Sequence, residues 1–308
     1  MNSINNEEKS IFDLISENIG ENGSLSRDFE LQNDDKEGAK FAAGAMDGIC
    51  MYHMVGTSLD DKDKKKLEEL IKLAGEGDTK GAEKGFADFC KDHRAITILD
   101  ELQRCIFNNE ETLDPNRMFE FAVNLLLHSS YMECVKIGLS ILELFDTSEN
   151  EELKKAIRMI ALSDEFTVFS MFLMRGWPTA EKDILDCAKH VHGWGRIHCV
   201  EYINPVENET KEWLLFNGTD NDVMAAYSAW NVFIKADVPE LIRRGNLSYE
   251  EMHAVLLITE ALMNEGPVIG ISNMDNPEVY LRDVLFRAEE NYPFTEDDLR
   301  IIKDIRER

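Results

Sequence analysis

The sequence is marked first by what it does not contain. No stretch of 18 consecutive apolar residues occurs, so no membrane-spanning helix is expected. The first ten residues, MNSINNEEKS, are polar and acidic, without the basic start and apolar core of a secretory signal. Six cysteines (Cys50, Cys90, Cys105, Cys134, Cys187 and Cys199) never form a C-x-x-C pair, which argues against a zinc ribbon or a thioredoxin-type site. Free, buried thiols in a reducing cytoplasm are the expectation. A G-x-S-x-G elbow, a P-loop, a G-x-G-x-x-G turn and an H-E-x-x-H zinc helix are all missing. Basic residues are scarce: 33 Lys and Arg stand against 60 Asp and Glu, a net charge of −27. Such a field repels phosphate backbones and anionic lipid, so nucleic-acid and membrane partners are disfavoured. The one basic cluster, Lys62 to Lys66 around Asp63, runs directly into Glu68 and Glu69. Pairing on a solvated helix face accounts for it.

Alternating, strand-like runs are nearly absent as well, while apolar residues recur every three or four positions. With 44% hydrophobic residues the chain can build one large core or two smaller ones. The fold class read from this pattern is all-α. Start signals support it: Ser148 with Glu151, Ser248 with Glu251 and Thr295 with Asp298 fit capping boxes. Asp114-Pro115 and Asn276-Pro277 place a cap before a first-turn proline. Gly218, Gly245 and Gly266 stand where left-handed helix ends are wanted.

The spacing of these starts carries more. Helices are expected near Ser148, Pro178, Asn208 and Val238, and a second, interleaved set near Ser163, Trp194, Thr219 and Ser248. An earlier pair is expected from Asp114 and Tyr131, and a last pair from Asn276 and Thr295. A helix pair repeated about every 30 residues is the pattern of stacked helical repeats, because one pair cannot bury its apolar face alone. The stretch D-I-L-D-C-A-K-H, then W-G-R-I-H-C-V-E-Y-I, then E-T-K-E-W-L-L-F-N-G resembles the HEAT-like superfamily of α-helical repeats. The resemblance covers residues 111–308 and implies a right-handed α-solenoid of helix pairs. Helical-repeat DNA glycosylases are similar in fold, but they need a basic cleft that this composition does not supply.

Residues 1–110 read differently, as an N-terminal helical segment. An amphipathic helix is expected over 7–19, an acidic linker over 20–38, and then an apolar helix containing Gly44, Gly48 and Gly56. Glycines within that helix suggest a close helix crossing or a ligand near the backbone. Helices from Ser58 (boxed with Asp61), Thr79 and about Arg94 complete the segment. Asp47, His53 and His128 have no spacing that predicts a catalytic assembly, and surface or inter-helix hydrogen bonding accounts for them.

Polar and aromatic groups are densest at 190–201. At 100° per residue Trp194, His198 and Glu201 share one face of a helix, and Arg196 points roughly opposite. The remaining positions are apolar nearly all round, so the helix is buried and its polar groups must be bonded or face a groove. His190 and His192, two apart, diverge on a helix and could converge with His198 only if a turn at Gly193 breaks it; with H-E-x-x-H absent, no metal site and no cofactor is expected. Phe166, Phe169 and Phe172, then Trp194, then Tyr227 and Trp230 fall at corresponding positions of successive second helices, as core or as the wall of a groove for a peptide helix. The candidate binding residues are therefore Trp194, Arg196, His198, Glu201, Tyr227 and Trp230. The function this supports is a non-enzymatic helical-repeat adaptor or regulator whose acidic concave surface takes a basic protein partner. The alternative is an enzyme or small-molecule binder with its pocket at Trp194, His198 and Glu201.

Overall fold

The computed structural model describes residues 9–31, 41–54, 59–266, 268–290 and 292–308. Ser58 and its expected box with Asp61, Gly56 and most of the second half of the expected linker lie outside them. Among the described residues all regular structure is helical, apart from one isolated bridge between Ile19 and Leu25. The chain forms two compact units, Met1–Thr179 and Ala180–Arg308. The expected boundary at 110/111 therefore falls inside the first unit, where the N-terminal helices pack with those that follow.

The first unit comprises α1 (Ile11–Ser16), α2 (Ala45–His53), α3 (Asp61–Glu76), α4 (Thr79–Phe89), α5 (Ala95–Asn108), α6 (Pro115–His128), α7 (Met132–Leu142), α8 (Glu151–Ile160) and α9 (Asp164–Met174). Its centre is α7, buried at every position from Cys134 to Leu142 and packed on α4, α5, α6 and α9. Phe86, Phe121, Phe166 and Phe169 are fully buried in the same unit, the first two with rings 6.0 Å apart. Close approach of α6 and α7 depends on Gly138. A Cβ there would lie 2.8 Å from the Ala122 carbonyl oxygen and 2.9 Å from Leu125 Cβ. Gly138→Val is therefore expected to destabilise the unit by about 1–3 kcal/mol through overpacking. A urea unfolding midpoint equal to that of the parent would contradict this.

The second unit comprises α10 (Ala180–His190), α11 (Trp194–Tyr202), α12 (Asn208–Asn217), α13 (Ala226–Lys235), α14 (Val238–Arg244), α15 (Tyr249–Met263), α16 (Pro277–Ala288) and α17 (Glu296–Glu307). Here α11, α13, α15 and α17 form a row in which each helix touches the next, while α10 packs on α11, α12 on α13 and α16 on α17.

Most expected starts agree with the structure to within three residues. The boxes at Ser248/Glu251 and Thr295/Asp298 are both formed. Three expectations are corrected. At α8 the cap is Asn150, whose side chain accepts the Leu153 amide, and Ser148 instead donates its own amide to Asp146. The helix expected at Thr219 begins only at Ala226, because the Asn221 side chain accepts the amides of Val223 and Met224 and holds a turn there. Gly218 is right-handed (φ −67°), not left-handed. Glycine is required there by crowding, since a Cβ would meet Val232 and the Leu214 carbonyl at 2.5 and 2.6 Å.

Candidate functional site

The residues singled out from sequence lie in the second unit, and the structure divides them. Trp194, Arg196 and His198 are buried on α11, with His198 wholly inaccessible. His198 Nδ1 stands 3.8 Å from Glu201 Oε2, one turn on, as the shared helix face requires. The Trp194 ring lies 6.2 Å from that of His198 and 4.9 Å from that of Tyr227. Four of the six residues thus form one packed group. Arg196 points away from it, as expected. Its Nε donates to the Val191 carbonyl and its Nη1 to the Asp220 carbonyl, both at 2.9 Å. It ties the turn before α11 to the loop after α12, and its guanidinium lies over the Trp213 ring. The C-terminal end of α11 is met by Lys235, which donates to the carbonyls of Val200 and Glu201. Burial outweighs the pull of Glu201 and brings the Lys235 ammonium down to about 8.

Trp230 stands elsewhere, in a cleft of about 790 Å³. One wall is the Trp230, Phe233 and Ile234 face of α13, and Ile242 of α14 adjoins it. The other wall is α16, through Val279, Tyr280 and Phe286. Tyr280 is fixed at the base by its hydroxyl, 2.7 Å from that of Thr259, and by an edge-on contact with Phe233. Three of the apolar lining side chains are solvent-accessible: Ile234 at 55%, Val279 at 43% and Phe286 at 63%. The cleft also contains two arginines and two aspartates. Arg287 is occupied in capping α14, donating to the carbonyls of Ile242 and Arg243, and Arg243 pairs with Glu240. Asp283 has only a loose 3.6 Å contact with its neighbour Arg282, and no cation among the described residues pairs with Asp275. With Arg243 paired to Glu240 and Arg287 3.7 Å from Glu290, the cleft carboxylates are left as Asp275 and the loosely held Asp283.

The first unit contains a polar centre that sequence reasoning did not assemble. Lys136 on α7 is fully buried, and its Nζ donates to Asp47 of α2 at 2.6 Å, Glu133 of α7 at 2.9 Å and Glu165 of α9 at 2.5 Å. Arg94, at the start of α5, bonds Asp47 at 3.1 Å and approaches Glu133 and Glu165 at 3.5 Å. Three carboxylates thus surround two cations. Backbone amides complete the set: Ala95 donates to Glu133 and Gly44 to Glu165, each at 2.7 Å.

Gly44 corrects an expectation. It is not inside a helix but caps α2 in a left-handed conformation (φ 72°), which exposes its amide to Glu165. The group that approaches this backbone is a side chain of the chain itself. Inter-helix bonding of Asp47 is as expected.

The protonation states follow from these contacts. Burial works against the charge on Lys136, yet its three carboxylates outweigh burial and hold it above the ordinary lysine range. An ammonium held that firmly is no amine nucleophile. Burial raises Asp47, whereas for Glu165 it is outweighed by Lys136, the Gly44 amide and Arg94, so that carboxyl is lowered. None of the six cysteines is in a disulfide, and burial pushes the thiols of Cys50, Cys90, Cys105 and Cys134 up, Cys105 to about 11. None of these four has the character of a nucleophile. Among the described residues no group of three or more His, Cys, Asp or Glu side chains is placed to hold a metal ion, and no helix is long and apolar enough to cross a membrane.

No protein family, no characterised protein and no solved structure matches the chain.

Proposed function

We propose that this chain is a non-enzymatic helical adaptor or regulator, and that the cleft between α13, α14 and α16 docks a basic, amphipathic helical segment of a protein partner. The single observation that carries the reading is the accessible apolar lining of that cleft, combined with Asp275, which no cation among the described residues pairs, and Asp283, held only by a loose contact with Arg282. A partner helix would lay its apolar face on Ile234, Val279 and Phe286, and its flanking Lys or Arg would meet Asp275 and Asp283. The net charge of −27 favours the encounter with a basic partner at low salt. HEAT-like helix pairs are the framework we infer, supported by the row of α11, α13, α15 and α17 and the helices paired against it. The alternative, an enzyme or small-molecule pocket at Trp194, His198 and Glu201, has less behind it, because Trp194 and His198 are buried and neither they nor Glu201 line the cleft.

The test uses a fluorescein-labelled amphipathic Lys/Leu peptide titrated with the full chain and read by anisotropy. Phe286→Asp removes an apolar contact of about 1.5–3 kcal/mol, so Kd is expected to rise at least about tenfold. Because Phe286 is largely exposed, the unfolding midpoint should move little. Affinity should also fall as salt is raised. No saturable binding, or an unchanged Kd for Phe286→Asp, would overturn the proposal.

A further inference from the structure

A smaller pocket, of about 210 Å³, opens elsewhere in the second unit and shares no residue with the cleft. Phe216 of α12 and Thr219 just beyond it form one side, and Tyr249, Glu250, His253 and Leu257 of α15 form the other. Behind His253 lies Asp298 of α17, fully buried. Its Oδ1 is 2.6 Å from His253 Nδ1, while its Oδ2 accepts the Tyr249 hydroxyl at 3.1 Å and the Thr295 amide and hydroxyl at 2.8 Å.

This arrangement fixes what the pocket can recognise. An ionised carboxylate only accepts, so His253 carries a proton on Nδ1, and in the neutral form of the ring Nε2 is the acceptor. The Tyr249 hydroxyl already donates its hydrogen bond to Asp298. Glu250, exposed at the start of α15, is held below the ordinary glutamate range by its own amide and Ser248, and remains a carboxylate. The polar lining is thus two strong acceptors, a carboxylate and an imidazole nitrogen, and the Thr219 hydroxyl, which can also accept. Two aromatic rings, Phe216 and Tyr249, and the apolar Leu215, Ala254 and Leu257 supply the rest.

We propose that this pocket binds a primary alkylammonium group, its three N–H donors shared among Glu250, His253 Nε2 and Thr219, and its methylene stem lying against Phe216, Tyr249 and Leu257. A head group with three donors, no acceptor and a positive charge complements acceptors flanked by aromatic rings. A neutral alcohol lacks both the charge and the donor count, and a carboxylate would be repelled by Glu250. A lysine side chain of a protein and a free small amine share this chemistry. The proposal does not depend on the cleft, so Phe286→Asp leaves it untouched.

Amide chemical shifts of the full-length protein, followed during titration, provide the test. The probes are n-butylamine as its ammonium salt, the peptide acetyl-Gly-Lys-Gly-amide, and n-butanol as the neutral control. Saturable shifts at Thr219, Glu250 and His253 are expected with at least one of the two ammonium probes, and none with butanol. Response to butylamine alone assigns the pocket to a free amine, and response to the peptide, with or without butylamine, assigns it to lysine. Glu250→Gln, an exposed substitution that leaves the fold intact, should weaken binding about tenfold. His253→Gln, with the unfolding midpoint monitored alongside, should weaken it too. Absence of saturable shifts with both ammonium probes, equal response to butanol, or unchanged affinity in Glu250→Gln would each overturn the proposal.

Discussion

Lys136→Met is expected to cost the first unit about 3–5 kcal/mol at neutral pH, because it leaves three carboxylates crowded in the interior with Arg94 as their remaining cation. Lys136 and Asp47 are fully buried, so water cannot move in to replace the lost charge without opening α7. The loss should appear as hydrogen exchange of α7 amides accelerated at least about a hundredfold. It should also be pH-dependent. Without the ammonium, mutual repulsion and burial raise the carboxyl pKa values in the folded state above their unfolded values near 4. A group raised in this way favours the fold when protonated, so the variant should regain stability as pH falls from 7 towards 4. Asp47→Asn in the parent should be far milder, since burial already disfavours the ionised form of Asp47, and in the Lys136→Met background it should restore part of the loss. Exchange rates in Lys136→Met equal to those of the parent, or a loss that grows on acidification from pH 7 to 5, would show that the cluster is not balanced as described.

That cluster also marks the limit of what the sequence discloses. Helix starts are legible because their determinants are local: Ser248 meets Glu251 and Thr295 meets Asp298 within one turn, whatever the rest of the chain does. The shared face of Trp194, His198 and Glu201 and the opposed Arg196 are legible for the same reason, since helical geometry alone determines them. Asp47, Arg94 and Glu165 carry no such signal, because each comes from a different stretch of chain and only tertiary packing brings them to Lys136. One clue was available. Lys136 stands inside the otherwise apolar run C-V-K-I-G-L-S-I-L, and a lysine in such a run must find buried acceptors. The cleft is hidden for the opposite reason. Ile234, Val279 and Phe286 have the same helical spacing as core residues, and periodicity cannot distinguish an apolar face that is covered from one that is open.

Asp298→Ala is expected to cost the second unit about 2.5–4 kcal/mol, combining a lost cap of about 1 kcal/mol with charge-assisted hydrogen bonds of about 1.5–3 kcal/mol. Asp298 serves two structures at once. It is the third-position carboxylate of the α17 capping box, and it is the acceptor that holds His253 and Tyr249 of α15. Thr295→Val removes the hydroxyl half of the box alone and should cost about 1 kcal/mol. Burial works against the charge on Asp298, but His253, Thr295 and Tyr249 outweigh it and hold the carboxyl below the ordinary aspartate range. A group lowered on folding contributes stability that is complete above its unfolded pKa, near 3.9, and is lost as pH falls through the folded value. The Asp298 carboxylate's share of the gap between parent and Asp298→Ala should therefore be complete at pH 5 and close as pH falls below about 4. Exchange of α17 amides across that range measures it, because Ile301, Ile302 and Ile305 bury that helix. A gap below 1 kcal/mol at pH 7, or one that persists unchanged at pH 3, would mean that α17 is held by its isoleucines alone and that His253 is oriented by something other than Asp298.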